Sequence, residues 1–332
     1  MDVNKKFKFS IVIPTLNEEN YISECINSIL EQTYDLNLIE IVIVDGNSTD
    51  KTIEIVNSYK QKHNHILVLN NPQKRTPISL NIGIKNSTGE VTVILGAHTK
   101  IDKNFVELNN KYLVEQNVKV TGGTQINIGK TLPQRLIANV MEMPFAMASA
   151  SYRWSKKAQF VDTVVYAAYK KELFDELGYF EEGFAISEDA EMNWRIRQAG
   201  YKIYFSPDIK TYYYPRSSVT RFIKQMFRYG ILRVNVLKKH IDAIKLFHFI
   251  PPLFVITILL LLSLSFVNPI FLKLLIGFLS FYFIINIVAS VKKLGIKNWF
   301  IFPIVSIMVF SMHIAWGLGF IIGAILPKSE RW

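Results

Sequence analysis

The stretch Phe9-Ser10-Ile11-Val12-Ile13-Pro14-Thr15-Leu16-Asn17-Glu18 decides how the N-terminal part of the chain folds. It opens with a short apolar run rich in β-branched residues, which is typical of a strand, and Pro14 ends that run. The following Glu18–Gln32 has apolar residues at helical spacing, and Ile39–Val44 is a second apolar run without alternation. Strands without alternation are typical of parallel sheets, which are buried on both faces.

The alternation of strands and helices continues along the chain. The predicted elements are helices over Thr52–Lys62 and Pro77–Lys85, and strands over Ile66–Leu69 and Glu90–Leu95. This series predicts an α/β fold with a mostly parallel sheet flanked by helices and joined by right-handed crossovers. Such sheets bind ligands at the carboxyl ends of their strands, so the polar residues that follow each strand form the candidate site.

Composition excludes several classes of protein. The chain has 332 residues and a formal net charge of +11, and its 50% hydrophobic content excludes a disordered chain. Cys25 is the single cysteine, which excludes a disulfide framework and a zinc site built on cysteine pairs. The first 200 residues contain no Lys/Arg run of the kind that binds nucleic acid, so nucleic acid is not an expected partner.

The C-terminal part is far more apolar than the rest. Residues 246–329 contain no Asp, Glu or Arg, and three apolar stretches lie there: Phe247–Val267, Pro269–Val291 and Trp299–Leu326. Each reaches the ~20 residues that a helix needs to cross a bilayer core. Lysines before the first stretch and between the second and third predict that those loops face the cytoplasm. His313 lies inside the third stretch and is predicted to pair with a neighbouring helix, with contact to a lipid diphosphate as the alternative.

Two loops directly after strands carry the first candidate site residues. Pro14-Thr15-Leu16-Asn17-Glu18 follows the first strand, and Asp45-Gly46-Asn47-Ser48-Thr49-Asp50 follows the second. Both loops open helices, whose free N–H groups favour phosphate, and Asp45 is placed to accept hydrogen bonds from a base or a ribose. Asn17, Ser48 and Asp50 are equally typical of helix caps, and both interpretations stay open. Neither a G-x-G-x-x-G nor a P-loop motif is present.

Together with later motifs, these loops resemble the family 2 glycosyltransferases, and in particular the membrane glucosyltransferases of the succinoglycan-biosynthesis type. The motifs that carry the resemblance are Ile11–Glu19, Val44–Thr52, Leu80-Asn81-Ile82-Gly83-Ile84 with Gly89-Glu90, Asp162-Thr163-Val164 with Ala168-Tyr169, Ser187-Glu188-Asp189-Ala190-Glu191, Phe227-Arg228-Tyr229-Gly230, and His313 with Trp316-Gly317. They occur in the family's order from residue 9 to about residue 325.

The resemblance implies a GT-A-like fold, a nucleotide-diphosphate sugar donor and inversion at the anomeric carbon. The residues implied to bind the donor are Pro14, Thr15, Asn17, Glu18, Asp45 and Ser48 around the nucleotide, with Arg75 and Asn81 near the diphosphate or the sugar.

Asp189 is implied to be the general base, with Glu188 beside it. An inverting transfer needs one carboxylate to take the proton of the acceptor hydroxyl, so the residue type fits the chemistry. The alternative is that these acids only complement the dipole at a helix N-terminus.

One position departs from the family pattern. Members usually carry Asp-x-Asp or Asp-x-His after the fourth strand, and the acid helps to hold a divalent metal. Here the stretch is Ile94-Leu95-Gly96-Ala97-His98, with Gly96 in the place of the acid. Three interpretations stay open: His98 binds an ion such as Mn²⁺ with Glu188 or water, cationic groups such as Arg75 or Lys100 replace Mg²⁺ or Mn²⁺, or activity has been lost.

The segment Arg221–His240 mixes apolar and cationic residues and predicts a helix in the membrane interface. Within it, Gln225, Arg228 and Tyr229 resemble the Gln-x-x-Arg-Trp motif of processive family members, which borders the acceptor, with Tyr in place of Trp. The interface helix and the acceptor edge are compatible interpretations.

The predicted organisation has three parts: a cytoplasmic glycosyltransferase domain over residues 1–220, an amphipathic linker over 221–246, and three transmembrane helices over 247–326. The three apolar stretches predict a multi-pass protein of the plasma or inner membrane. Three spans are too little membrane structure for a polymer channel, so we expect the protein to add one sugar to a membrane-borne, lipid-linked acceptor in polysaccharide or glycan synthesis. A processive synthase and a non-catalytic or metal-independent nucleotide-sugar-binding protein are the alternatives.

Overall fold

A computed structural model describes residues 5–148, 151–183, 188–239 and 246–326 of the chain. The chain divides into two compact units. The first is built from residues 1–126 and 155–213, and the second from residues 127–154 and 214–332. Residues 127–154, which lie inside the predicted 1–220 domain, thus group with the C-terminal helices. The predicted boundaries at residues 220 and 246 stay predictions.

The first unit is organised around a mixed sheet. Its strands are β1 Phe9–Thr15, β2 Ile39–Asp45, β3 Ile66–Asn70, β4 Val91–Ile94, β5 Thr99–Ile101, β6 Val120–Asn127, β7 Gln159–Val161, β8 Ala168–Lys170 and β9 Ile203–Tyr213. They lie in the order β3-β2-β1-β4-β8-β6-β9-β5, with β7 paired to β9. The strands β3, β2, β1 and β4 are parallel, whereas β8 runs antiparallel to both β4 and β6.

Helices cover this sheet. They are α1 Ile22–Leu30, α2 Thr52–Lys60, α3 Thr76–Asn86, α4 Phe105–Glu115, α6 Glu172–Leu177 and α7 Glu188–Gln198. The core contains β1 and β2 side chains such as Ile11, Ile13 and Ile43 packed with Ile22 and Ile26 of α1, all of them fully buried. Each such side chain contributes about 1.5–3 kcal/mol on burial. The predicted α/β fold is confirmed.

Gly83 explains one of the quoted motifs. A Cβ atom at this position of α3 would lie 2.3 Å from Cγ1 of Val12 on β1. Only glycine therefore lets α3 pack this closely on the central strand.

The first helix begins later than predicted. It starts at Ile22 rather than Glu18, because the Glu18 carbonyl accepts the N–H groups of Tyr21 and Ile22, each at 2.9 Å, in a preceding turn. Residues 18–21 are thereby left in the loop at the strand ends.

The second unit is helical. It contains α5 Leu132–Met141, α8 Val219–Lys239, α9 Ile250–Ser265, α10 Ile270–Leu294 and α11 Phe302–Ile325. Three segments are long and apolar enough to cross a membrane: Leu246–Ser265, Ile270–Leu294 and Ile296–Ile325, with mean hydropathies of 2.3, 2.3 and 1.9. They coincide with the three predicted stretches.

The helix α8 packs lengthwise on α11. A Cβ atom on Gly230 would lie 2.1 Å from the carbonyl oxygen of Trp316, and one on Gly319 would lie 2.0 Å from that of Phe227. The two backbones are therefore in direct contact, as small residues allow between apolar helices.

The segment after α5 also contacts the apolar helices. The Phe145 ring packs against the rings of Tyr282 and His313, and the carboxylate of Glu142 accepts from the Lys293 ammonium at 2.6 Å. His313 Nδ1 lies 2.9 Å from the Tyr282 hydroxyl, and its Nε2 lies 3.3 Å from the Ala146 carbonyl oxygen. The prediction that His313 pairs with a neighbouring helix is confirmed.

Candidate active site

The ends of β1, β2 and β3 lie side by side. Thr15 pairs with Asp45, and Asp45 pairs with Asn70. The Gly46 N–H donates to the Thr15 carbonyl at 2.8 Å, and the Asn71 N–H donates to the Asp45 carbonyl at 2.7 Å. This parallel register brings Pro14, Thr15 and Asp45 to one edge of the sheet, as expected from the strand order.

The two predicted loops are hydrogen-bonded to each other. Asn17 has a φ of +56°, a backbone that asparagine tolerates better than most residues, and its N–H donates to the Ser48 hydroxyl at 2.9 Å. Its side-chain oxygen accepts the Thr49 N–H at 2.8 Å. Asn17 and Ser48 therefore fix the loop conformation, so their predicted contact with a nucleotide stays a prediction.

Asp45 is almost fully buried and holds its own loop. Its carboxylate accepts the Ser48 N–H at 2.9 Å and the Ser48 hydroxyl at 2.6 Å. Carboxylate oxygens have further lone pairs, so these bonds leave acceptor capacity at the strand ends.

Asp50 joins the same network from the start of α2. Its carboxylate accepts the N–H and hydroxyl of Thr52, at 3.0 and 2.5 Å, and the Glu19 N–H at 3.2 Å. Partial burial raises the pKa of Asp50, but these hydrogen bonds outweigh it, so the pKa lies below its ordinary value. Asp50 thus holds Thr52, the first residue of α2, but the residue at the N-cap position is Lys51 and its side chain makes no capping bond.

His98 lies against Glu18. Its Nδ1 is 2.8 Å from Oε1 of Glu18, and its ring stacks edge-on against Tyr213 with the ring centroids 5.2 Å apart. The side chains of His98 and Glu18 are 25% and 19% exposed, so each presents part of its surface to a ligand. The loop after β4 and the loop after β1 therefore meet at this pair.

A cation that is held by protein side chains alone needs more ligands than Glu18 and His98 supply. The described residues contain no group of three or more His, Cys, Asp and Glu side chains arranged to hold an ion. His98 Nδ1 is already occupied by Glu18, and Gly96 has no side chain to offer. The described residues therefore do not fit a protein-held cation, and the predicted role of His98 as a ligand stays a prediction.

Glu188 and Asp189 form the first turn of α7, and Ser187 of the same motif lies outside the described residues. One carboxylate oxygen of Asp189 accepts the Ala190 N–H at 2.7 Å. Removal from water, together with the neighbouring charge of Asp189, raises the pKa of Glu188 to about 8. Near neutral pH one carboxyl of the pair is therefore mostly protonated.

Two side chains hold the segment that leads towards α7. Arg195 donates to the carbonyl oxygens of Leu177 at 2.6 Å and Tyr179 at 2.8 Å, and it pairs with the buried Glu191 at 2.9 Å. Asn81 of α3 binds both main-chain groups of Phe180. The predicted donor contact of Asn81 stays a prediction, because its amide is engaged with Phe180.

The Asp162-Thr163-Val164 motif supports the same helix. Asn193 of α7 donates to the Thr163 hydroxyl and to the Val164 carbonyl, both at 2.9 Å, and its side-chain oxygen accepts from the Tyr169 hydroxyl at 3.1 Å. These bonds fix how α7 sits on β8, and so where its first turn lies.

Two tyrosines belong to this region and were missed by the sequence analysis. Tyr213 packs on His98, and the Tyr166 ring lies 3.6 Å from where a Cβ of Gly96 would be. Tyr166 also has a φ of +52°, a strained backbone that is rare for an aromatic residue and concentrates at functional sites. No motif marks either tyrosine, and backbone strain is invisible in a sequence.

The remaining predicted residues are Arg75, Gln225, Arg228 and Tyr229. Arg75 is exposed just before α3, where its carbonyl accepts the Asn71 amide at 3.0 Å. The other three lie on α8 in the second unit, where the Gln225 amide donates to the Tyr229 hydroxyl at 3.0 Å. Their predicted role beside the acceptor stays a prediction.

Comparison with known proteins agrees with this geometry. The family described as glycosyl transferase family 2 matches residues 10–178. The chain is 30% identical over 332 residues to the dolichyl N-acetyl-alpha-D-glucosaminyl phosphate 3-beta-D-2,3-diacetamido-2,3-dideoxy-beta-D-glucuronosyltransferase of Methanococcus voltae, covering 96% of this chain and 98% of the relative. It is 25% identical to the succinoglycan biosynthesis protein ExoA of Rhizobium meliloti, covering 93% of each chain.

A solved structure shares the fold. The mannosyltransferase PcManGT from Pyrobaculum calidifontis, described in complex with GDP-Man and Mn²⁺, superimposes with a TM-score of 0.60 at 19% identity, covering 96% of this chain and 88% of that one. The predicted GT-A-like fold is confirmed by this match. Because the family matches about half of the chain and the archaeal relative matches nearly all of it, the chain belongs to glycosyl transferase family 2 and is a glycosyltransferase.

Proposed function

We propose that the protein moves one sugar, with inversion, from a nucleotide-diphosphate sugar to a lipid-linked acceptor in glycan or polysaccharide synthesis. One observation carries the proposal: 30% identity along 96% of the chain, including the apolar helices, to an archaeal enzyme whose name states a dolichyl phosphate-linked acceptor. The succinoglycan-type likeness supports the same class at 25% identity.

The proposed chemistry uses the two acids of α7. Asp189 accepts the proton of the acceptor hydroxyl as its oxygen bonds to the anomeric carbon, while the bond from that carbon to the diphosphate breaks and the nucleoside diphosphate leaves. Glu188, kept protonated by its raised pKa, adds no second negative charge beside Asp189. The pair thus separates into one base and one neutral acid, as in other carboxylate pairs.

We propose that the nucleotide-sugar donor binds at the carboxyl ends of β1, β2 and β3. Pro14, Thr15 and Asp45 would line the nucleoside there, because the parallel register brings them together. The exposed Arg75 and the N-terminus of α3 behind it would meet the diphosphate, where a cation and free N–H groups favour negative charge. Asn17, Ser48 and Asn81 would act by holding the loops.

No step of this mechanism is assigned to a metal. The PcManGT structure is described with Mn²⁺, and at 19% identity it shows the fold alone. The Glu18–His98 pair stands where the motif of metal-dependent relatives is expected. We propose that this pair and Arg75 shape the diphosphate site without a protein-held cation.

The acceptor is proposed to be membrane-borne and the first unit to lie on the cytoplasmic face of the plasma or inner membrane. The three apolar segments support membrane association. The lysines that flank them support the cytoplasmic orientation.

The decisive experiment is nucleoside diphosphate release by the purified full-length protein. It uses a panel of sugar nucleotides with a membrane lipid extract, in the presence of Mg²⁺, Mn²⁺ or EDTA. We expect acceptor-dependent release with one donor, about 10²–10⁴-fold slower in Asp189→Asn because the base is lost. Glu54→Gln, an exposed change on α2, is the control. Release that does not need lipid, or that survives Asp189→Asn, contradicts the proposal.

A second candidate rests on Gly96. Because it replaces the expected acid, a non-catalytic protein that only binds a nucleotide sugar is the alternative. Nucleotide binding without release by any donor would favour it. A processive synthase is separated from single transfer by product length on a gel.

A further inference from the structure

A groove opens between α8 and α11 within the second unit. It is an open groove with a volume of about 580 Å³, and it is lined by Ile223, Lys224, Phe227, Arg228, Ile314 and Leu318, among others. The direct backbone contact at Gly230 and Gly319 fixes the two walls relative to each other. The groove is therefore a preformed feature of the helix pair.

Its chemistry is amphipathic in a specific way. The α11 wall and most of the α8 wall are apolar, whereas Lys224 and Arg228, one helical turn apart, are exposed along one side. The groove thus fits a molecule with an apolar chain and an anionic head.

The volume favours a single chain. About 150 Å³ encloses a six-carbon ring, so the groove holds roughly four five-carbon units of an isoprenoid chain. A two-chain phospholipid would leave one chain outside it. We propose that this groove binds the phosphate and the adjoining isoprenoid units of a polyprenyl phosphate lipid. This inference rests on the proposed lipid-linked acceptor and names its binding site.

The test measures binding without any sugar nucleotide. Full-length protein in nanodiscs of neutral phosphatidylcholine is titrated with geranylgeranyl phosphate, which has four isoprene units and one phosphate. We expect saturable binding that geranylgeraniol, phosphatidylglycerol and inorganic phosphate do not displace at equal concentration. Displacement by phosphatidylglycerol as effective as by unlabelled geranylgeranyl phosphate would overturn the proposal, since the groove would then be a general lipid site.

Matched variants locate the site. Lys224→Glu should weaken binding by about tenfold or more through loss of a charge-assisted contact, and Ile314→Trp should abolish binding by filling the groove. The controls are Lys238→Glu on α8 and Ile307→Trp on α11, both exposed and outside the groove, which should bind within about twofold of wild type. Melting temperatures in the same nanodiscs show that each variant is folded.

The outcomes separate this inference from the proposed function. Wild-type affinity in both groove variants would show that the lipid does not bind in the groove, even if sugar transfer proceeds. Binding that is lost in both groove variants and kept in both controls supports the groove, even if no donor gives release and the proposed function fails.

Discussion

The side chain of Asn81 binds both main-chain groups of Phe180. Its side-chain oxygen accepts the Phe180 N–H at 2.9 Å, and its amide donates to the Phe180 carbonyl at 2.8 Å. Asn81 is buried on α3, and Phe180 lies three residues after the end of α6, in the segment that leads towards α7. A helix that packs on β1 thereby holds Phe180, eight residues before Glu188 in the chain.

Replacing Asn81 by Asp tests this link. The aspartate carboxylate can still accept the Phe180 N–H, but it has no N–H to donate to the Phe180 carbonyl. That buried carbonyl loses its hydrogen bond, at a cost of about 1–3 kcal/mol. We expect a lower melting temperature and slower transfer. Asn86→Ala on the same helix, which removes an exposed bond to the Ile82 carbonyl, is the control and should change little. Equal effects of the two changes would contradict a positioning role for Asn81.

The raised pKa of Glu188 makes stability depend on pH. Its folded-state pKa is about 8 and its ordinary value is 4.5, so the folded protein binds this proton more tightly than the unfolded chain does. Its contribution to stability is therefore full below pH 4.5 and is lost as the pH rises towards 8. We expect the melting temperature of wild type to fall over this window more steeply than that of Glu188→Gln. Glu54→Gln should keep the wild-type slope; identical slopes in all three proteins would refute the assignment.

Gly96 offers a gain-of-function test of the metal site. A Cβ there would make ordinary contacts of 3.4–3.7 Å with Thr99 and Tyr166, so the position has room for a Cβ atom. Gly96→Asp would add a carboxylate beside the Glu18–His98 pair. We expect Mn²⁺ binding, measured by electron paramagnetic resonance, to be at least about tenfold stronger in Gly96→Asp than in wild type. Gly96→Asn has the same size without the charge and should resemble wild type. Tight Mn²⁺ binding by the wild-type chain would contradict the proposed metal-free site.

The contact between α8 and α11 is sensitive to one methyl group. In Gly230→Ala the new Cβ would lie 2.1 Å from the Trp316 carbonyl oxygen, so the helices must separate. We expect a loss of stability of about 1–3 kcal/mol, typical of overpacking. Gly277→Ala on α10 meets nothing within 4 Å and should be neutral or slightly stabilising. Thermal unfolding of both variants in one detergent gives the comparison.

The elements near the N-terminus were predictable because their signals are local. The apolar runs that became β1 and β2, and the loops after them, needed only composition and order along the chain. The antiparallel strands β8 and β9 were not predicted, since β8 has only three residues and β9 contains Ser206-Pro207-Asp208, which is typical of a turn. The helix α5 was missed although Thr131 and Gln134 form a capping box, a signal that was available in the sequence.

Side-chain partners were much less predictable. The roles of Asn17 and Ser48 at the strand ends, and of Asn81 at Phe180, depend on which loops meet. Phe180 is 99 residues from Asn81, and no local pattern encodes that distance. His98 was singled out from a motif, but its contact with Glu18 arises only when β1 and β4 are neighbours in the sheet.

The Glu142–Lys293 ion pair joins residues 151 positions apart in the chain. Because a ribosome adds residues in order, α5 and the Phe145 segment are made long before the helices that cover them. Until α8 and α11 emerge, α5 lacks both of the helices that it contacts, and its otherwise buried Ile137, Val140 and Met141 leave the newly made segment open to aggregation or to a chaperone. A shortened chain that stops near residue 220 would keep this apolar surface permanently and should be insoluble when produced without its C-terminal helices.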